Sequence, residues 1–473
     1  MKSYLTLVLL ALALGSTARP ADSLVVILYD DFIAMVTEHH PLAAVAQLKL
    51  SEGEAKLLHA KGAFDPKLYT QYSQKDFNDT EYYSIFNGGV KIPTWFGLEF
   101  RGGYENNQGE YLNPELTNPA NGLVYAGVSL TLGQGLFIDK RRAELKKAAL
   151  FQQITEAEQQ ILMNELVLEA GLGYWNWFRA YNSLLVHREA FNRAHERYQG
   201  VKDMAILGER PAIDTVEAHI QVQNRQLSLA QAEMEFNNAS ALLSVYLWHE
   251  GVVPLELTPN AVPPVADEIT VTPPPAELWQ LRDSVLNTHP ELQKAGLTIA
   301  RLEVEKRWQK EQLKPVVNLK YTPLAEPVNG NFPGNFSLNN YTWGLEFKFP
   351  LFLRKERGNL RLTEAKLQQN QLQLSQKQAR VRYKVTEAIN MWHTTKVQTD
   401  IYRKAVDNYA RLLDGEKELF DSGESSLFMI NSREMGYIKG RLKYIDLMTK
   451  NFTSALKTRF SLGILAERPE LPQ

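Results

Sequence analysis

The sequence predicts a mainly α-helical chain with a smaller set of strands that forms part of a transmembrane β-barrel. Three observations predict this class: the chain is duplicated, each half contains a helical stretch of more than 60 residues, and amphipathic strands precede each long helix. The 473 residues carry 52 Lys plus Arg against 54 Asp plus Glu, and no Cys. The balanced charge excludes a polybasic nucleic-acid binder, and the lack of Cys excludes disulfide scaffolds, thiolate metal sites and cysteine nucleophiles.

The duplication is visible in two ungapped registers. A shift of 249 residues gives eight identities over residues 40–72, and a shift of 215 residues matches the later part of each half. The difference, 249 − 215 = 34 residues, predicts an insertion between Tyr72 and Leu130 of the first half. The main matched pairs are His40-Pro41 with His289-Pro290, Leu136-Phe137 with Leu351-Phe352, and Gly208-Glu209 with Gly423-Glu424.

These registers divide the chain into four segments. Residues 1–18 have a basic start, an apolar stretch and small residues at the end, which predicts a signal peptide. Residues 19–250 are predicted to form the first repeat, with an enlarged strand-loop region at 73–127. Seven Pro residues in 251–276 predict an extended connector, because Pro is excluded from helix and sheet interiors. Residues 277–473 are predicted to form the second repeat.

Each half is predicted to run in the order helix, strand, strand, very long helix, helix. Glu144–Leu207 and Lys355–Phe420 show helical periodicity, and helices of this size are on the order of 100 Å long. No ordinary globular core needs helices of this length. Their polar remainder, rich in Gln, Glu, Lys and Arg, is typical of a coiled coil or a helical barrel wall.

The predicted strands alternate apolar and polar residues, as in 342–349, where Trp343, Leu345 and Phe347 alternate with Gly344, Glu346 and Lys348. A half-buried strand of a soluble sheet alternates in the same way. The many aromatics among Gly, Asn and Asp between Tyr69 and Tyr125 favour the membrane alternative. Two strands per half give four, too few to close a barrel, so closure requires several chains, and three chains would supply twelve strands.

The 34-residue excess is predicted to form an added hairpin from residues 90–92 and 95–101. This hairpin is either an extracellular lid or a pair of extra barrel strands. Asn and Gly residues would supply its turns. They are Asn78, Asn87, Gly88, Gly89, Asn106 and Asn107.

In the order and duplication of these features, the chain resembles the outer membrane efflux protein family, the TolC-like channel tunnels. The resemblance spans residues 23–463 and rests on five short segments. It implies a homotrimeric α/β channel tunnel, with a β-barrel in the outer membrane of a Gram-negative bacterium and a helical tunnel through the periplasm. The segments are His40-Pro41-Leu42, residues 287–292, Pro350-Leu351-Phe352, and the tips after Gly208 and Gly423.

The resemblance also implies a function and partners. Such a channel is the exit duct of a tripartite efflux or type I secretion system, and it passively conducts substrates to the exterior. Its partners are outer membrane lipid, a periplasmic adaptor (membrane fusion) protein and an inner-membrane pump. No nucleic acid and no cofactor are expected.

The functional residues implied by the resemblance lie at the two tips. Asp214 and Glu217 are spaced i, i+3 on one helix face, so three copies would place six carboxylates around a narrow mouth and favour cations. The alternative for both acids is a solvated position at a helix start. The predicted aperture residues are Asp214, Glu217, Phe420 and Met429; the predicted adaptor-contacting tips are Gly208, Glu209, Arg210, Gly423, Glu424 and Ser425.

The second tip departs from the family pattern. Family members close the mouth with a Tyr and an Arg of the second tip that contact an acid of the first, and they carry acids where this chain has Met429 and Ser432. Phe420 and Ser425 occupy the Tyr and Arg positions, so the usual closing contact cannot form. We expect one of two replacements: Arg210, or a hydrophobic ring of Phe420, Leu427, Phe428 and Met429.

Two other classes of function remain as alternatives. The first is a periplasmic coiled-coil adaptor or scaffold, which would share the long helices but would not need repeated amphipathic strands. The second is a secreted hydrolase with an unrecognised site. No phosphate-binding loop or nucleophile elbow occurs, and His187 and His195 lie eight residues apart rather than the four of zinc proteases. The sequence therefore predicts a channel and not an enzyme.

Overall fold

The structure is a computed structural model and describes residues 24–250, 252–327, 336–337 and 339–466. The predicted signal peptide at residues 1–18 lies outside the described residues. The chain divides into two compact units. A helical unit comprises the described residues up to Val45, Leu162–Val285 and the described residues from Val381 onward; a sheet unit comprises Ala46–Ile161 and the described part of Leu286–Arg380.

Long helices dominate the described chain, as predicted. The two longest contain 67 and 68 residues and include nearly all of the predicted stretches Glu144–Leu207 and Lys355–Phe420. The helices are α1 (Tyr29–His39), α2 (Pro41–Lys61), α3 (Lys140–Ile206), α4 (Ala212–Ser244), α5 (Glu277–Thr288), α6 (Pro290–Glu311), α7 (Arg354–Asp421) and α8 (Leu427–Leu462).

The strands form one large sheet and two short pairings. Two-residue strands pair β1 (Val25–Val26) with β8 (Ala261–Val262), and β6 (Trp248–His249) with β7 (Val253–Pro254). The large sheet contains β2 (Lys67–Phe77), β3 (Thr80–Pro93), β4 (Leu98–Gln108), β5 (Leu123–Thr131), β9 (Val316–Ala325) and β10 (Tyr341–Lys348).

The duplicated His-Pro pairs begin equivalent helices in the two halves. The Nδ1 atom of His40 accepts a hydrogen bond from the Leu42 N–H (3.1 Å), and Nδ1 of His289 accepts one from the Glu291 N–H (3.2 Å). Pro fits the first position of a helix because its missing N–H would have no intrahelical partner there. The repeat is therefore a helix-capping motif.

Aromatic side chains fill the core of the helical unit. Tyr174, Trp177 and Phe178 of α3 are fully buried. Trp175 stacks on Phe452 of α8, with ring centroids 4.0 Å apart. The Trp177 Nε1 donates to the Ser240 hydroxyl of α4 at 2.9 Å, so the largest buried ring keeps its polar atom satisfied.

The Pro-rich connector is part of the helical unit, and buried polar side chains hold it against the helices. Asn182 of α3 donates to the Pro264 carbonyl (3.3 Å) and accepts from the Ala266 N–H (2.7 Å). Trp392 of α7 donates to the Thr272 carbonyl at 2.9 Å. These bonds satisfy connector backbone groups that the Pro residues leave without regular partners. The connector is extended for most of its length and includes β7 and β8.

The large sheet is antiparallel throughout, in the order β10-β9-β5-β4-β3-β2. The prediction of two strands in each half is therefore wrong for the first half, which contributes four. The predicted hairpin at 90–92 and 95–101 falls at the end of β3 and the start of β4, where the Thr94 N–H bonds to the Leu98 carbonyl (3.0 Å). The structure thus favours extra strands over a lid.

Several predicted turn residues lie inside strands instead. Asn78 does form a turn with Asp79, and both have positive φ. Asn87, Gly88 and Gly89, however, lie within β3, and Asn106 and Asn107 lie within β4. Asn and Gly are typical turn residues, which is why the sequence pattern misassigned them.

The strand glycines are explained by a tyrosine that lies across them. The Tyr125 hydroxyl of β5 donates to Oδ1 of Asn87 (2.7 Å) on β3, two strands away. A Cβ atom added at Gly103 would lie 2.5 Å from this hydroxyl, and one added at Gly89 would lie 3.0 Å from it. The tyrosine can cross the sheet only because these residues have no side chain.

The pairing register gives the sheet one apolar and one polar face. Phe100 pairs with Ile92 on one side and Val128 on the other, and Val128 pairs with Tyr321, which pairs with Trp343. The opposite face carries charged and amide side chains. Further residues of the apolar face are Leu68, Tyr72, Val90, Leu130, Leu319, Leu345 and Phe347; the polar face includes Asn87, Lys91, Glu99, Arg101, Glu105, Asn318, Lys320 and Glu346.

We expect Gly103→Ala to destabilise the sheet unit and Gly344→Ala to leave it unchanged. The first substitution places a methyl group against Tyr125 and the Gly88 carbonyl, whereas nothing lies within 4 Å of a Cβ at Gly344. Overpacking of this kind costs about 1–3 kcal/mol. Thermal unfolding followed by circular dichroism should give a lower midpoint for Gly103→Ala alone; equal midpoints would contradict the role assigned to Tyr125.

Candidate functional site

The two predicted tips have the same backbone geometry. At the first tip, the Glu209 N–H bonds to the Met204 carbonyl (2.9 Å), and Gly208 has a φ of 78°. At the second, the Glu424 N–H bonds to the Leu419 carbonyl (2.8 Å), and Gly423 has a φ of 82°. Both are Schellman motifs, in which Gly ends a helix in the left-handed conformation. The glycine of each tip is required for this backbone conformation.

Arg210 joins the first tip to the second within one chain. Its guanidinium lies 4.2 Å from the ring centroid of Phe420 at the end of α7. It also lies 3.7 Å from the Asp214 carboxylate in the first turn of α4. One side chain therefore makes a cation–π contact with the second tip and an ion pair with a predicted aperture residue.

Ser425 is engaged within its own tip. Its hydroxyl donates to Oε1 of Glu416, while the Arg433 Nε donates to Oε2 of the same carboxylate at 3.3 Å. The Ser425 hydrogen bond, followed by that of Arg433, holds the pKa of Glu416 below its ordinary value. Because the charged form is stabilised, this contact stabilises the second tip at neutral pH and is lost as the pH falls through the lowered pKa of Glu416.

Phe420 and Leu427 do not face an opening. They are buried in a small core with Val201, Leu413 and Ile430. A side chain buried inside its own chain cannot line a ring between chains, so the hydrophobic-ring hypothesis is wrong for these two residues. Phe428 is 71% exposed, and Met429 is partly exposed.

Asp214 and Glu217 differ in their charge environment. Both lie at the start of α4 and are partly exposed. Asp214 is partly neutralised by Arg210, whereas Glu217 makes no ion pair within the described part of the chain. Any field from this helix face therefore depends more on Glu217 than on Asp214.

A buried polar network near the tips was missed by the sequence analysis. The Arg197 Nη1 donates to Asn431 (2.8 Å) and to Glu434 (2.9 Å), and its Nη2 donates to the second Glu434 oxygen at 3.1 Å. The Glu434 side chain is 2% exposed. Arg225 of α4 is also buried, and burial lowers the pKa of its guanidinium. Glu434 of α8 thus pairs directly with Arg197 of α3, and its charge also acts on the nearby Arg225 of α4, whose pKa it raises.

No local motif could have identified this network. Arg197 and Glu434 are 237 residues apart, and each resembles an ordinary charged residue of a long polar helix. Arg197 and Glu434 meet only because α3 packs against α8 in the folded chain. A weak signal is the Asn431 and Glu434 spacing of i, i+3, which places both on one face of α8.

The histidines considered as metal ligands do not form a site. In the described residues, no group of three or more His, Asp or Glu side chains is placed to hold a metal ion. Burial, and then the charge of Arg225, lower the pKa of His187, while His195 stacks near Phe191. Nor does any helix in the described ranges have the length and apolar character needed to cross a lipid bilayer.

We expect Glu434→Gln to destabilise the helical unit strongly. The change removes the carboxylate partner of Arg197 and the negative charge near the buried Arg225, and breaking a buried ion pair from one side costs about 3–5 kcal/mol. Glu424→Gln, at an exposed position of the second tip, is the matched control. The unfolding midpoint should fall for the first variant only; if the two midpoints agree, Glu434 does not balance the buried cations.

Comparison with known proteins gives one family match and several matches to solved structures. Residues 281–429 match the outer membrane efflux protein family. No curated protein sequence matches the chain. Twenty-three solved chains share its fold.

Three of these solved structures illustrate the similarity. The Campylobacter jejuni CmeC outer membrane channel is 12% identical, with a TM-score of 0.65, over 96% of this chain and 91% of CmeC. CusC is 16% identical, with a TM-score of 0.64, over 95% of both chains. A Pseudomonas aeruginosa membrane protein is 14% identical, with a TM-score of 0.66, over 95% of this chain and 99% of its own.

The fold and the matched segment confirm the resemblance found in the sequence. The segment begins in α5 and ends just past the second tip, so it includes β9, β10 and all of α7. Residues 281–429 are thus similar to the outer membrane efflux protein family, and the fold of the chain is similar to that of solved outer membrane channels.

Proposed function

We propose that this protein is the outer membrane exit duct of a tripartite efflux or type I secretion system in a Gram-negative bacterium. It passively conducts substrates that an inner-membrane pump and a periplasmic adaptor deliver. The role involves no enzymatic step and no cofactor. The observation that carries the proposal is the apolar face of the six-stranded sheet.

That face is exposed where a soluble protein would bury it. Leu68 is 84% exposed on β2, and Trp343, Leu345 and Phe347 are 61% to 66% exposed on β10. Exposed apolar surfaces of this extent indicate a membrane or protein contact. Lipid contact suits them, because barrel strands in a membrane alternate apolar-out and polar-in.

The sheet edges support a homotrimer closed by strand pairing. In the described part of the sheet, β2 and β10 each have one unpaired edge, and the alternation of strand directions makes these two strands antiparallel. A β2 edge can therefore pair with the β10 edge of another copy and keep all pairs antiparallel. Three copies provide 3 × 6 = 18 strands, not the twelve predicted from the sequence. Barrels of 16 to 18 strands leave an aqueous channel.

We expect cysteine pairs across this edge to crosslink the protein into a covalent trimer. The chain has no Cys, so there is no background. Leu345→Cys would be combined in turn with Leu68→Cys, Thr70→Cys or Tyr72→Cys, all on the apolar face. Facing Cβ atoms on adjacent strands lie about 4.5–5.5 Å apart, within reach of a disulfide after small shifts.

Leu345→Cys combined with Phe100→Cys is the control, because Phe100 lies on the inner strand β4 of the same face. The detergent-solubilised protein should have the native mass of three chains, and at least one β2 pair should give dimer and trimer bands. Another native mass, or no crosslink from any pair, would refute closure between β2 and β10.

The tips suit two further roles expected of a duct, which are contact with the adaptor and a charged mouth. Glu209 and Glu424 are exposed at the tips, and Ile206, Leu207, Ile213 and Phe428 around them are 69% to 74% exposed. This mixed surface is the proposed adaptor contact, together with Gly208, Arg210, Gly423 and Ser425. Asp214 and Glu217, next to it, are the proposed acidic mouth. Arg210 takes the place of the family closing contact by holding Asp214 and Phe420.

We expect the reconstituted protein to form cation-selective channels in a planar lipid bilayer. Glu217→Gln should bring the cation-to-anion permeability ratio closer to one than Asp214→Asn does, because Arg210 already offsets the Asp214 charge. Glu424→Gln controls for charge at the tip surface. Absence of channels would refute the duct; channels with unchanged selectivity in both variants would refute only the acidic mouth.

The alternative of a periplasmic adaptor or scaffold fits less well. An adaptor needs helical hairpins, which this chain has, but it has no use for six strands with one exposed apolar face. The matched segment also belongs to an outer membrane family. A secreted hydrolase has no supporting observation in the described residues.

A further inference from the structure

A basic pocket lies in the sheet unit, apart from the tips. It is open, has a volume of about 730 Å³, and lies between α2, α3 and α6 near the start of β2. This volume is in the range of small-molecule sites. Its charged lining residues are Lys56, Lys67, Lys140, Arg141, Lys147, Arg301, Glu144 and Glu305.

The positive charge of the pocket is only partly compensated. Lys147 contacts both Glu144 (2.8 Å) and Glu305 (2.7 Å), so the two pocket acids are already used. Arg141 contacts Glu99 at 3.4 Å and Asp139 at 3.5 Å, outside the pocket. The other four cations, Lys56, Lys67, Lys140 and Arg301, make no ion pair within the described ranges. Such a cluster attracts an anion.

Apolar groups lie beside these cations. Phe151 and Leu302 line the pocket together with three Ala side chains. The Lys56 Nζ lies 3.9 Å from the Phe151 ring centroid, so the ring holds one ammonium group within the pocket. A small inorganic anion would use the cations alone. An organic anion with an apolar body would use both kinds of lining.

The pocket is continuous with the polar face of the sheet. Arg141 lines the pocket and donates to Glu99, which lies on the polar face and also pairs with Lys91 at 2.9 Å. In the proposed duct, the polar face surrounds the conducting space, since the apolar face meets lipid. Arg141 therefore joins one wall of the pocket to the polar face, beside the conducting space of the proposed duct.

We propose that this pocket is a transit site for organic anions with an aromatic or aliphatic body, such as aromatic carboxylates and sulfonates. The inference rests on the proposed function and deepens it by naming a class of cargo. The cations hold the anionic group, while Phe151 and Leu302 contact the apolar body.

The test is block of the channel current by naphthalene-2-sulfonate in a planar lipid bilayer. The wild-type current should fall with increasing probe concentration. The triple variant Lys56→Gln/Lys140→Gln/Arg301→Gln should need about tenfold more probe, since one lost charged contact is worth at least that factor. Phe151→Ala should also weaken block by the probe. Sulfate at the same concentration should not block the current of the wild type or of either variant.

The charge-matched control is Lys366→Gln/Lys377→Gln/Arg380→Gln, three exposed positions on α7 of the same unit. It should retain wild-type block. Unchanged block in the first triple variant, equal loss in the control, or equal block by sulfate would each overturn the site. If the wild type forms no channels, the duct itself fails; equilibrium dialysis of the solubilised protein against the probe then tests the pocket alone.

Discussion

The unpaired backbone groups at the two edges of the sheet are the constraint on which the rest of the molecule depends. Strands β2 and β10 each present a row of N–H and C=O groups without partners in the described chain, beside a face of exposed apolar side chains. In a bilayer no water is available to satisfy such groups, so only another strand can do so. If the sheet lies in a membrane, as the proposed duct requires, an isolated chain is incomplete and its assembly is part of its folding.

The extra hairpin changes what that assembly encloses. Strands β3 and β4 enlarge the first half without disturbing the second, because they are inserted between β2 and β5, and β5 still pairs with β9 of the second half. Tyr125 fixes the insertion by crossing glycines of both added strands to reach Asn87. In the proposed barrel, six strands per chain would give the polar face a greater circumference than four would.

Much of the fold could be predicted from the sequence, because its signals are local. The His-Pro pairs mark helix starts, because each His side chain caps its helix. Gly208 and Gly423 mark helix ends, because Gly readily adopts the positive φ that these positions require. The strand count could not be predicted, because Gly89, which allows the close approach of Tyr125, stands in a Gly-Gly pair that is typical of a turn in sequence. The burial of Phe420 and the pairing of Arg197 with Glu434 were also out of reach, since each depends on helices that meet only in the folded chain.

The contact of Arg210 with Phe420 has a mechanical consequence. It ties the end of α7 to the loop before α4, and the buried core around Leu413 and Ile430 joins the same elements. The two tips of one chain therefore cannot swing separately without breaking a cation–π contact and exposing apolar surface. In the proposed trimer, the six tips would therefore be displaced as three pairs, one pair from each chain, when the mouth widens.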